Sequence, residues 1–106
     1  MNDEQHVEAA RRFAEHILNR GGSADDQRLN FAAHQLLSRD FRADELAILK
    51  DSLGHLTAFY RDHAKEAGEL VRTGESIADA SLDAGTLAAW TMLCNQMMNL
   101  DEVLNK

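Results

Sequence analysis

Residues Thr86 to Lys106 read TLAAWTMLCNQMMNLDEVLNK. The stretch holds the only Trp, the only Cys and three of the four Met, with no internal Gly or Pro. On a helix turning about 100° per residue, Leu87, Trp90, Leu93, Cys94, Met97, Leu100 and Leu104 fall within about 80° of the Trp90 direction. The pattern predicts a helix with a broad apolar face, the pillar of a small helical domain. Asp101 interrupts that face, about 20° from the Trp90 direction. A carboxylate there needs a partner, because an unpaired buried charge is costly. Arg39 is the expected donor, since a guanidinium can meet a carboxylate with two hydrogen bonds. Arg11, Arg12 and backbone N–H groups at the start of the third helix compete for the role.

The rest of the composition suits one small helical domain. The chain has 106 residues, 44% hydrophobic and 27% charged, enough for a single core without staples. There is no Pro, and four of the six Gly (Gly21, Gly22, Gly74 and Gly85) punctuate gaps between helical patterns. No alternating run of β-branched and aromatic residues is long enough for a strand. A net charge of −7, with 18 acids against 11 bases, argues against nucleic acid as a partner. No apolar run approaches the roughly 20 residues of a membrane span. A lone Cys cannot form an internal disulfide, and its place on the apolar face predicts a buried thiol.

Ahead of the last helix, four apolar stripes follow in order. Val7, Ala10, Phe13, Ala14, Ile17 and Leu18 form the first, behind an Asn2 cap closed by Gln5, with Glu8, Arg11, Arg12, Glu15 and Asn19 on the opposite, solvent side. Gly21-Gly22 stops this helix. Ser23 with Asp26 reads as the next start, and Leu29, Ala32, Ala33, Leu36 and Leu37 make the second stripe. Phe31 points about 160° away from it and reads as a solitary surface aromatic or a contact to another domain. A third helix runs from about Ala43, with Leu46, Leu49, Leu53, Leu56 and Tyr60 inward. Gly54 costs it roughly 1 kcal/mol relative to Ala, which suggests close packing against a neighbour. Asp62 either ends this helix or caps a fourth, where Ala64, Ala67, Leu70 and Val71 face inward; a break and a bend both fit. Residues 74–85, GESIADASLDAG, lack helical periodicity, and Asp83 caps the last helix.

Chemistry is harder to find. The five His form no i, i+4 pair and no HExxH motif. Asp79, Ser81 and Asp83 have the first spacings of a calcium loop, but Ala84 and Trp90 stand where its Gly and Glu belong. A single Cys94 excludes C-x-x-C-H haem attachment, and its apolar setting raises rather than lowers a thiol pKa. Ser76 lacks the G-x-S-x-G elbow. Asp101 and Glu102 diverge by about 100° on a helix and cannot face each other as an acid/base pair.

Several segments together carry a family resemblance: ARRFAEHIL, RLNFAAHQLLSRDFRADELAIL, GES and LAAWTMLCNQMMNLDEVLNK. The order resembles a carboxy-terminal domain of unknown function in large planctomycete proteins, most specifically at Ala88-Ala89-Trp90-Thr91, Asn99-Leu100-Asp101-Glu102 and Gly74-Glu75-Ser76. Those proteins join it to cytochrome-c-type domains. The chain departs from the family at the third helix, where Phe41 stands near the usual Pro, Arg42 at the Ser or Thr cap and Glu45 at the Glu. Thr86 replaces a Glu common three residues after the capping Asp. The resemblance implies a C-terminal segment of a longer, exported or periplasmic protein. Its partners would be other domains of the parent chain, haem-bearing ones among them. It transfers no catalytic residue and no cofactor to this segment.

The expectation is therefore all-α: a single domain over residues 1–106, an antiparallel bundle of four or five helices packed around the C-terminal helix. Its function reads as a non-catalytic structural or docking module. The far side of the last helix, with Ala88, Met92, Asn99 and Val103, is too apolar for full solvation and reads as a docking face. The alternative is an enzyme or ligand-binding domain with a pocket between residues 74–85 and 99–102. Glu75 and Asp101 would line it.

Overall fold

The computed structural model describes the backbone of residues 4–104 and the side chains of residues 4–99. The Asn2 cap lies outside the described residues, and so do the side chains of Leu100, Asp101, Glu102, Val103 and Leu104. Five helices follow in order: α1 (Glu4–Arg20), α2 (Asp25–Leu37), α3 (Ala43–Asp62), α4 (Ala64–Val71) and α5 (Ala84–Leu104). Among the described residues there is no strand. The fold is an all-α bundle around α5, which packs on α1, α3 and α4 and touches α2.

The core is the set of stripes written into the helices. Ala10, Ala14 and Ile17 of α1, Leu29 and Ala32 of α2, Leu49 and Leu53 of α3, and Ala67 and Val71 of α4 join Leu87, Trp90, Leu93, Cys94 and Met97 of α5. Trp90 is 2% exposed. The most extensive pairing is that of α1 with α5, and both helices bring buried small residues to the core, Ala10 and Ala14 on α1 and Ala88 and Ala89 on α5. α3 runs antiparallel to α5. The Tyr60 carbonyl sits at Gly85, and Gln96 donates to Ser52 Oγ at 3.2 Å.

α5 is buried on more than one side. Ala88, expected on an open docking face, is fully buried, and Met92 and Asn99 are half-buried. Thr91 is also inside, its hydroxyl donating to the Leu87 carbonyl at 2.7 Å. A helix enclosed by its neighbours needs small and apolar residues all round. At Ala88 the far face therefore answers to packing within the domain, while Met92 and Asn99 stay partly open and Val103 lies outside the described residues.

Local chemistry sets the helix ends. Gly21 and Gly22 stop α1, and Gly22 takes φ +99°, a left-handed conformation that suits glycine. The start of α2 is one residue later than Ser23 suggests. Ala24 holds the cap position, and Gln27 Oε1 accepts from the N–H groups of both Ser23 and Ala24 at 3.1 Å. The stretch 43–72 is broken rather than bent. His63 leaves helical geometry, at φ −130° and ψ 60°, and donates from Nδ1 to the Phe59 carbonyl at 2.7 Å. Asp83 caps α5 as expected, accepting from Thr86 N–H at 2.9 Å.

Two expectations fail for one reason: tertiary neighbours were placed wrongly. Phe31 is not solitary; it is half-buried against the core, its ring centroid 5.3 Å from that of His16. Gly54 has no packing neighbour; a Cβ added there would meet nothing within 4 Å.

Candidate functional site

The densest polar constellation lies where residues 74–83 cross α1. Glu8, Arg11, Glu15 and Asn19 recur at spacings of three and four, which puts them on one face of a helix. The sequence places that face in solvent. In the fold the loop covers it, and Arg11 is 0% exposed. Its Nη1 donates to Glu15 Oε2 at 2.9 Å, and its Nη2 donates to the Ser76 carbonyl at 3.0 Å and to Ser76 Oγ. Arg11 Nε meets no acceptor among the described residues. The guanidinium is thus held through its two terminal nitrogens.

The carboxylates complete the clasp from the loop's own backbone. Ser76 N–H donates to Glu8 Oε2, and Asp79 N–H donates to Glu15 Oε2 at 2.7 Å. Asn19 Nδ2 reaches Asp79 Oδ2 at 3.2 Å. Asp79 Oδ1 in turn accepts from Ser81 N–H at 3.0 Å and from Ser81 Oγ at 2.6 Å, closing a tight turn. Gly74 opens the loop at φ +97°, and a Cβ there would fall 2.5 Å from the Glu8 carboxyl carbon. Only glycine fits both the conformation and the space.

Electrostatics fit a fastener better than a reactive centre. Hydrogen bonds from the Ser76 side chain and backbone, with Arg11 nearby, hold the Glu8 carboxyl below its ordinary range. Ser81, then Asn19, does the same for Asp79. A carboxylate held down in this way stays charged and keeps accepting from the loop. Burial pushes the Cys94 thiol up, as the sequence suggests, which leaves it without thiolate character. Among the described residues no group of His, Cys, Asp and Glu is arranged to hold a metal ion.

A second, smaller knot sits at the start of α3. Glu45 is buried, accepts from Arg39 Nη1 at 3.1 Å and Nη2 at 3.3 Å, and takes the Arg42 N–H at 2.8 Å. Those bonds, Arg39 first, lower the Glu45 carboxyl pKa. Glu45 thus performs the reciprocal half of a capping box although Arg42 stands at the cap. Arg39 thus has a partner that the sequence reading did not name. Its guanidinium is engaged by Glu45 and by the Asp40 carbonyl at 2.7 Å, close in sequence to both. The other half of the expected pair, Asp101, lies outside the described side chains.

The remaining candidates are dispersed. Trp90 is core, Phe31 is half-buried, and Glu75 is exposed. Met92 and Asn99 line an open cleft between α3 and α5 with Ser52, His55 and Gln96. The other end of the loop, Asp83 to Thr86, lines a different cleft with Thr57, Tyr60 and Arg61. Glu102 lies outside the described residues with Asp101. Sequence reasoning missed Arg11, Glu8, Glu15 and Glu45. One signal was present: Arg11 points within about 20° of Leu18 on the helical wheel, so it borders the apolar stripe and is flanked by two acids. No helix among the described residues is long and apolar enough to cross a membrane. Comparison with protein families, with curated proteins and with solved structures finds no match to this chain.

Proposed function

We propose that this domain is a non-catalytic docking module of a multidomain exported protein, the setting implied by its resemblance to cytochrome-c-linked planctomycete proteins. The observation that carries the reading is Ile77. It is 94% exposed, yet it lies between Ser76 and Asp79, the two residues that the α1 clasp holds. A large apolar side chain displayed on a fastened loop loses little entropy on binding, which favours its use as an anchor. Arg11, Glu8 and Glu15 beneath it are engaged in holding the loop. The proposed partners are the other domains of the parent chain, haem-bearing ones among them. The acidic balance of the chain disfavours nucleic acid.

The test is titration of the 106-residue chain against the adjoining domains of its parent protein, followed by calorimetry. Ile77→Asp is expected to weaken binding by tenfold or more, about 1.4 kcal/mol, with the melting temperature unchanged. Equal affinity of wild type and variant, or no binding by the wild type, overturns the reading.

A further inference from the structure

We infer that the partner surface receiving Ile77 is an apolar pocket rimmed by Lys or Arg side chains, an inference that rests on the docking role of Ile77. The loop that bears this residue carries only negative charge. Between Thr73 and Ala84 it holds Glu75, Asp79 and Asp83, with no Lys, Arg or His. Ile77 lies two residues from each of Glu75 and Asp79 and is 94% exposed. Glu75 is also exposed, and its carboxylate makes no hydrogen bond or ion pair among the described residues.

The clasp beneath the loop encloses its cation and leaves its acids at the surface. Glu8 and Glu15 flank the Arg11 guanidinium, which is fully buried, while their own side chains are 19% and 18% exposed. Ser76 holds the Glu8 carboxyl below its ordinary range, and Ser81 does the same for Asp79, so both charges persist into mild acid. Two other cations come near in sequence. Arg12 is exposed four residues on from Glu8 and borders the patch along α1. Arg72 turns back along α4, its Nη1 3.1 Å from the place of a Cβ on Gly68. The surroundings of Ile77 therefore set four carboxylates, those of Glu8, Glu15, Glu75 and Asp79, against Arg11 and Arg12.

These charges select the partner. A branched aliphatic anchor calls for an apolar pocket. A neutral surface closing over Ile77 would strip water from carboxylates that gain nothing in return, which is unfavourable. A rim of Lys or Arg replaces that water with opposite charge, and such pairs steer encounter and fix orientation. An acidic rim is repelled. Glu75 is the carboxylate best placed to meet the rim, because among the described residues it has no partner to leave.

Titration of the 106-residue chain against the adjoining domains of its parent protein, repeated across ionic strength, tests the inference. Affinity is expected to fall about fivefold or more as NaCl rises from about 50 to about 500 mM. At the lower salt, Glu75→Lys is expected to weaken binding about tenfold, with the melting temperature unchanged. Asp51→Lys makes the same change in net charge on α3, a helix without extensive contact to α1, at a side chain 76% exposed. It is expected to alter affinity by less than about twofold. Loss of binding in Ile77→Asp with no effect of salt or of Glu75→Lys overturns the basic rim and leaves the docking reading standing. Equal losses in Glu75→Lys and Asp51→Lys also overturn the rim, since net charge alone then sets the affinity. A wild-type chain that does not bind, or that binds as well with Ile77→Asp, overturns both.

Discussion

Arg11 and Arg39 each gather carboxylates, but they do so over different distances along the chain. Arg39 binds Glu45 six residues away, at the corner where α2 gives way to α3, and its side chain is 41% exposed. Arg11 joins α1 to Ser76, 65 residues away, and is entirely enclosed. The first knot closes a helix start with a buried carboxylate and a guanidinium that stays open to water. The second pins an irregular loop to the bundle, beside the core contacts of Ala78 and Leu82. A buried guanidinium without its partners cannot turn to solvent. The two should therefore respond very differently to the same kind of damage.

The largest effect is expected from Arg11→Met, which strands Glu8 and Glu15 under the loop. A loss of about 3–5 kcal/mol in urea unfolding is predicted, together with fast amide exchange across residues 75–82. A loss below about 1 kcal/mol would show that the loop is held by other means. Gly74→Ala attacks the same clasp through the backbone, because the new Cβ meets the Glu8 carboxylate and φ is positive. It is predicted to cost about 1–3 kcal/mol and to raise exchange over the same residues.

Glu45→Gln is the matching cut at the local knot. Its predicted cost is about 1–2 kcal/mol, with exchange rising only in the first turn of α3. Acid should separate the knots further. Glu8 and Glu45 both have carboxyl pKa values below their ordinary 4.5 in the folded chain. Their stabilising contribution is therefore complete above pH 4.5 and is lost as pH falls through the lower folded values. A urea titration from pH 7 downward is predicted to show that loss, and Glu45→Gln to make its slope shallower without altering exchange in the loop. The smallest effect is Gly54→Ala, predicted to stabilise the chain by about 0.5–1 kcal/mol, read as a higher melting temperature.

These knots also mark how far the sequence could be read. Stripes such as Leu29, Ala32, Ala33 and Leu46, Leu49, Leu53 are legible because helical periodicity is a local property, and the core follows it residue by residue. Asp83 is legible as a cap for the same reason, since its partner lies three residues on. Arg11 is not, because its meaning depends on Ser76, and no period links the two. Arg39 shows a contact that went unread: Glu45 lies only six residues away, at a place where the usual capping residue is missing. Ala88 misled in the opposite sense. A small residue off the main apolar face can mark an open surface or a tightly enclosed helix, and only the number of neighbours separates the two.

The central place of α5 has a consequence for how the chain comes into being. Protein synthesis delivers α1 to α4 before the helix they surround. Until α5 emerges, their apolar stripes have no common surface to close on, and α1 must wait for a partner more than sixty residues away in sequence. Helical proteins rich in local contacts fold fastest, and here the most extensive pairing of helices, α1 with α5, joins elements far apart along the chain. Uncovered stripes on a nascent chain are also what invite aggregation and chaperone binding. A ribosome halted before residue 84 would therefore carry four amphipathic helices with no core among them.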